Sequence, residues 1–296
     1  MRILMISILL AFSMMAQAQQ IGGMVIDKSQ MKMPAKEAKK KGKNDTLAVA
    51  NTTYRITYQS KAVKDTLAKP YKYRDDEMRL DISGDGVSKF YSYTAELRAK
   101  VMRERVEKGV FDFRDLPKPG AFTMEFYKNY PEKGKTLMLE TVGETKCQIE
   151  EKIETPEWTI LPDSTADIMG YSCQLAVTHF KGRQWYAWYT EDIPLDEGPW
   201  KLRGLPGLIL KAYDSSRQFI FDGQGMEQPD GEPITFIKMK REKVSQKDFR
   251  RMKESYDPND VLKQMAGTGA KVVIVNSDGS KLDKIDRPKF NLIELQ

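Results

Sequence analysis

Over most of its length the chain places apolar residues at every second position in short runs bounded by turn-forming residues. This pattern commits it to half-buried β-strands rather than to a helical bundle. In Thr52 to Gln59, Tyr54, Ile56 and Tyr58 share one face, and in the next run Met78, Leu80 and Ile82 do the same. Ser83-Gly84-Asp85-Gly86 supplies turn chemistry before the aromatic-rich run Val87 to Tyr93. Phe122 to Tyr127, Lys135 to Val142 and Lys146 to Lys152 read as further strands, punctuated by Gly134 and Gly143, and strands begin again at Phe219, Ile234 and Lys271.

Helices interrupt this pattern in few places. From about Ala95 to Lys108 the residues Ala95, Ala99, Met102 and Val106 share a helical face, and Gly109 is placed to end the helix in a left-handed cap. Ser245 with Asp248 three residues on resembles a capping box, followed by Phe249, Met252 and Tyr256 on one face. Asp257-Pro258 then starts a second short helix carrying Val261, Leu262 and Met265. The predicted class is mainly β with a few helices (α+β), built on an antiparallel, strongly curved sheet or half-barrel.

The densest segment is Tyr171 to Thr190, a hairpin turning at Lys181-Gly182 with aromatics on both faces: Trp185 and Tyr189 on one, Tyr186 and Trp188 on the other. One face packs in the core; the other meets a second layer or serves as a ligand platform. Breaks at Ile193-Pro194 and Gly198-Pro199 lead to Gly204-Leu205-Pro206-Gly207-Leu208-Ile209, where glycine freedom, a fixed proline φ and aliphatic burial fit a bend feeding a core strand. Arg183 is expected to stack on an aromatic or bridge to a carboxylate such as Glu191, with clamping of an acidic ligand as the sharper reading. Trp200, Lys201 and Arg203 form a basic, aromatic loop that reads as a candidate contact for a partner. The ligand or partner residues singled out are therefore Arg183, Trp185, Trp188, Trp200 and Arg203.

The N-terminus reads as an export signal: charged Met1-Arg2, an apolar run from Ile3 to Met15, and Ala16-Gln17-Ala18 as a cleavage site. About 15 apolar residues fall short of the roughly 20 that a spanning helix needs. The expectation is a cleaved peptide over residues 1–18, a Lys-rich segment or linker over 19–48, one β-rich domain over 49–296, and no transmembrane helix in the mature chain. Much of the net charge of +6 lies in Lys32, Lys36, Lys39, Lys40, Lys41 and Lys43, which suit a solvated linker or a tether to an anionic membrane surface. Nucleic acid is excluded as a partner by export and by the absence of a binding module.

Export makes a disulfide between Cys147 and Cys173 permissible, closing a loop of about 26 residues and worth on the order of 3 kcal/mol. Two buried thiols on separate strands explain the same residues. With no CxxC, no Cys/His cluster and a single histidine, His179, read as a part-exposed turn residue, no metal or cofactor is expected. No nucleophile elbow, phosphate loop or zinc-protease helix occurs. Asp75, Asp76, Glu77, Glu191, Asp192 and Asp214 leave an extracytoplasmic hydrolase with paired carboxylates as the alternative to a non-catalytic binding or accessory module. No catalytic residue is assigned, and the inventory leans against an enzyme.

The order Gly170-Tyr171-Ser172-Cys173, Gly182-Arg183, Ala187-Trp188-Tyr189-Thr190, Ile193-Pro194, Gly198-Pro199 and the Gly204 to Ile209 motif resembles the GLPGLI family of exported Bacteroidetes proteins. Phe290-Asn291-Leu292-Ile293-Glu294-Leu295 is similar to the family's usual ending, with Leu292 where proline is usual. The resemblance implies no assigned activity. It implies a periplasmic or envelope location and an accessory role near an outer-membrane transport component as partner; the excess of aromatic strand positions without catalytic machinery points separately to an apolar ligand or another envelope protein. At the level of fold, many strands with one early helix are similar to exported half-barrels of the LolA type, which carry lipoproteins or lipids.

Overall fold

The computed structural model describes residues 21–27, 45–110, 115–260, 263, 271–276, 280–285 and 290–295. In chain order the strands are β1 (Ile21–Asp27), β2 (Asp45–Val63), β3 (Tyr73–Ser83), β4 (Ser88–Ser92), β5 (Glu125–Lys128), β6 (Lys135–Val142), β7 (Thr145–Lys152) and β8 (Thr159–Ile168). They continue as β9 (Tyr171–Phe180), β10 (Arg183–Thr190), β11 (Leu208–Asp214), β12 (Phe219–Glu227), β13 (Pro233–Lys238), β14 (Glu242–Lys243) and β15 (Lys271–Asn276). Helix α1 (Tyr93–Glu107) follows β4, and α2 (Gln246–Ser255) follows β14.

Thirteen strands form one sheet in the order β14-β7-β6-β5-β4-β3-β2-β12-β11-β10-β9-β8, with β13 also on β2. The pairing is antiparallel throughout except between β14 and β7, which run parallel, and the sheet is not closed. The protein is thus mainly β with a few helices, as the alternation predicts. The sheet is strongly curved, because residues near its two edges share one core: Cys147 and Ile149 of β7 belong to the same buried cluster as Cys173 and Ala176 of β9 and Trp185 of β10.

The hinge of this architecture is the nineteen-residue β2. Its second half lies between β3 and β12, turning Ile56 and Tyr58 into the main core opposite Met78, Leu80 and Ile82. Its first half pairs with β13, and Ile234 and Phe236 of that strand cover the back of the sheet at Tyr127, Leu137 and Leu139. Alternation explains the division. Phe126 and Met138 point to the main core while their chain neighbours Tyr127, Leu137 and Leu139 form the smaller one.

Helix α1 begins where the Ser92 hydroxyl accepts from Ala95 N and ends before Gly109 at φ +72, so the glycine cap holds. Met102 of the expected face is buried and Ala95, Ala99 and Val106 are half-buried, while Arg98, outside that face, is buried as well. In α2, Ser245 accepts from Asp248 N, and Phe249 is buried. The second short helix expected at Val261, Leu262 and Met265 falls outside the described residues, as do residues 1–18 and Lys32 to Lys43.

Three expectations change. Residues 21–27, expected to be linker, form β1, which pairs antiparallel with β15 in a separate two-stranded sheet, and β2 starts as early as Asp45. Strand β8 escaped the alternation because it lies at the sheet edge, is largely exposed, and contains Pro162 beside a register shift. Finally, Cys147 and Cys173 are free thiols rather than a disulfide, since β7 and β9 sit near opposite edges of the sheet. Burial pushes both thiols up to about 11, so they behave as small core residues. Among the described residues, no helix is long and apolar enough to cross a membrane.

Candidate functional site

The glycine-proline motif is framework. Gly204 sits at φ +91, and a Cβ there would lie 2.4 Å from Thr155 Cγ2; at Gly207 a Cβ would lie 1.9 Å from Thr190 O. Only glycine lets the incoming loop press against the end of β10. Pro206 completes the bend, Leu205 is 4% exposed, and Leu208, Ile209 and Leu210 are fully buried, so both faces of β11 are covered. Tyr58 donates its hydroxyl to Ile209 O at 2.7 Å, tying the motif to β2.

The loop expected to contact a partner is likewise turned inward. Trp200 adopts φ +55 and is 0% exposed, 5.5 Å from Trp185, which is also fully buried. The Lys201 ammonium lies 2.5 Å from Glu151 and 2.8 Å from Glu294. Arg203 pairs with Asp196 at 2.7 Å. Just before Gly198-Pro199, Glu197 meets buried Lys128 at 2.6 Å and Ser88 at 3.1 Å, and Lys128 also donates to Gly198 O. Of the aromatics on the outer face of the hairpin, Trp188 is half-buried and Tyr186 stacks on Tyr213 at 5.4 Å. Trp200 and Lys201 are therefore internal ties, whereas the Arg203–Asp196 pair lies at the surface.

Arg183 is buried, and its partner is Asp214 at 3.0 Å, not Glu191. It also donates to Gln218 Oε1, Asn291 Oδ1, Leu292 O and Ile293 O, at 3.2, 2.7, 2.6 and 3.1 Å. The planar fork of a guanidinium suits this gathering of acceptors. Asn291 donates onward to Val63 O, and Leu295 N donates to Lys181 O. Gly182-Arg183 and the Phe290 to Leu295 ending are thus two halves of one clasp that straps the C-terminal segment onto the sheet.

Beneath that strap lies a cavity of about 110 Å³. Phe122, Met124, Met138, Phe219 and Phe249 give it an apolar lining, and Phe290 to Glu294 form one wall. Its polar groups are Lys64, Glu140, Gln246, Lys253 and the Trp200 edge. Lys253 lies 3.4 Å from Glu140, which also accepts from the Thr123 hydroxyl. Lys64 makes no hydrogen bond or ion pair among the described residues. Burial lowers its ammonium to about 7, the charges of Arg74 and Lys253 push the same way, and Glu140 opposes them. Two more buried polar atoms around the cavity, Trp200 Nε1 and Gln246 Oε1, have no hydrogen-bond partner among the described residues.

The carboxylates named as a hydrolase alternative do not gather at this cavity. Asp76 is buried, accepts from Ser92 Oγ and Phe122 N at 2.7 Å each, and is raised by burial to about 6; Asp214 is taken by Arg183, Phe219 N and Ser216. Asp75, Glu191 and Asp192 are exposed, as is His179. Among the described residues no group of three or more His, Cys, Asp or Glu could hold a metal ion. The residues that do line the cavity, Lys64, Glu140 and Lys253, escaped sequence reading. One signal was present: Lys64 continues the inward phase Ile56, Tyr58, Ser60, Ala62, where a lysine is out of place.

The fold and cavity together define an open, curved β-sheet protein with a small pocket lined by both apolar and charged side chains. Residues 172–211, which include the hairpin and the glycine-proline motif, match the family model described as "Protein of unknown function (Porph_ging)". No curated protein matches the chain. Among solved structures, PNGF-II is similar over 68% of this chain at 14% identity, with TM-scores of 0.44 in one crystal form and 0.40 in another. This chain spans only about a third of PNGF-II, 33% and 32% in the two forms. A DUF1329 family protein from Desulfovibrio piger is similar over 61% of this chain and 88% of its own, at 8% identity and a TM-score of 0.26.

Proposed function

We propose that this protein is an exported, non-catalytic binding module of the cell envelope, and that its ligand enters the cavity beneath the C-terminal strap. The observation carrying this reading is the cavity itself: about 110 Å³ of space that opens from the core toward the surface under the strap, with unpartnered polar atoms among the residues that line it. Protein interiors leave few voids, and buried polar groups without partners are rare unless water or a ligand satisfies them. An engineered apolar cavity of roughly 150 Å³ holds a benzene ring, so this smaller space suits a short chain rather than a whole ring.

Native mass spectrometry of the protein purified from its own envelope, followed by extraction of small molecules, tests the reading. A small organic ligand at near-stoichiometric occupancy is expected. Consistently empty protein, together with failure to bind any short-chain compound in vitro, overturns it. The export signal is checked by N-terminal sequencing of the same material, where Gln19 is expected as the first residue.

A further inference from the structure

We infer that the cavity takes an anionic amphiphile, whose carboxylate or phosphate group is held by Lys64 and Arg74 while its apolar part lies among Phe122, Met124 and Phe219. The inference deepens the binding reading above and rests on it.

The argument begins with strand register. In the β2–β3 ladder Ala62 stands opposite Arg74 and Ser60 opposite Asp76. Residues directly opposite in an antiparallel pair share a face of the sheet. Ala62 and Lys64 both line the cavity, and Arg74 and Asp76 share that face of the sheet without being among the lining residues, so Arg74 borders the cavity at Ala62. Lys64 and Arg74 are close enough for the charge of Arg74 to lower the lysine, and Arg74 in turn lowers Arg98 on α1. Burial lowers all three.

The charge balance decides the ligand class. Around the cavity Lys253 is matched by Glu140, and Glu294 by Lys201. Arg98 donates to Pro117 O. Asp76 acts on Arg74 through its charge, but it accepts from Ser92 and Phe122 N, and among the described residues no ion pair or hydrogen bond joins it to Arg74. Lys64 and Arg74 are left without a partner among the described residues, and Arg74 Nη1 is buried and unsatisfied, as is the neighbouring Ser60 Oγ. A desolvated cation is costly, and a second beside it costs more. Water can satisfy the N–H groups but cannot balance the charge. A neutral ligand leaves the imbalance in place, and a cationic one worsens it. An oxoacid offers acceptors to both the guanidinium and the ammonium, and the aromatic and methionine lining beside them suits a chain rather than a free ion.

Three compounds with the same tail separate the possibilities: hexanoate, 1-hexanol and hexylammonium, each titrated into the full-length mature protein at low salt and pH 6.5. Binding is followed by the NMR signals of 13C-labelled lysine side chains, with Lys64 assigned from the Lys64→Gln variant. Hexanoate is expected to bind at least tenfold more tightly than hexanol, to move the Lys64 titration upward, and to lose that advantage in Lys64→Gln and Arg74→Gln. Hexanol affinity should be the same in all three proteins, which shows that the variants are folded and the cavity intact. Equal affinity for hexanoate and hexanol in the wild type overturns the anionic inference while leaving the binding reading standing. No binding by any of the three removes the binding reading and the inference with it. Inorganic phosphate separates the two sources of the anion: hexyl phosphate binding far above phosphate supports the amphiphile, and phosphate alone binding as well as hexyl phosphate overturns it.

Discussion

The framework around Gly204 to Ile209 and the cavity edge at Lys64 and Arg74 use similar residues to opposite ends. In the framework every buried charge has a partner: Arg183 with Asp214, Lys201 with Glu151 and Glu294, Lys128 with Glu197. At the cavity edge half-buried Lys64 and Arg74, whose Nη1 is buried, have no hydrogen bond or ion pair among the described residues. Natural sequences resolve local conflicts where only folding is at stake and keep them where something must bind. The contrast separates a conspicuous motif that serves as architecture from an inconspicuous lysine and arginine on which the proposed binding rests.

The largest effect that tests this contrast is in the framework. Gly207→Val places a side chain into the Thr190 carbonyl, and we expect failure to fold or a loss of more than about 4 kcal/mol in urea denaturation. A variant that melts normally but has lost its ligand would transfer the motif from architecture to function. Next, Arg183→Ala removes the clasp and leaves Asp214 buried without its cation, at a cost of about 3–5 kcal/mol. Limited proteolysis should then cut near Phe290 to Leu295 under conditions that leave the wild type whole. Tyr186→Ala breaks the stacked pair with Tyr213 on the half-buried outer face, and about 0.5–1.5 kcal/mol is expected beyond the lost area.

The smallest expected effect has the opposite sign. Lys64→Gln should leave the melting temperature unchanged or slightly higher, because it removes a charge that burial disfavours. Its pH dependence follows from linkage. Lys64 gives up its proton near 7 in the folded protein and near its ordinary value of 10.5 when unfolded. Between those values the unfolded chain binds more protons, so stability rises with pH across the window. Lys64→Gln should flatten that rise when the melting temperature is followed from pH 7 to 10.

Much of the fold was legible because its cause is local. Alternation marked β2, β3, β6, β7 and the β9–β10 hairpin; Lys181 and Gly182, at φ +51 and +79, form the tight turn expected there. Edge strand β8 was hidden by its exposure and its proline, and β1 by the lysines that follow it. The site was far less legible. Arg183 stood out through its neighbours, but its role depends on residues about 110 positions away at the C-terminal segment. Lys64 and Lys253 are ordinary in sequence; only the curvature that brings β2, β6 and α2 around one cavity gives them meaning.

The central claim, that the cavity beneath the strap is a binding site, is tested most directly by filling it. Ala62 lines the cavity opposite Arg74 in the β2–β3 ladder, and Ala62→Leu extends a side chain into the space beside that arginine while leaving every charge of the wall in place. Titration of hexanoate into wild-type and Ala62→Leu protein, with melting temperature as the control for folding, should show saturable binding in the first and none in the second at similar stability. Equal binding by both proteins would contradict the account.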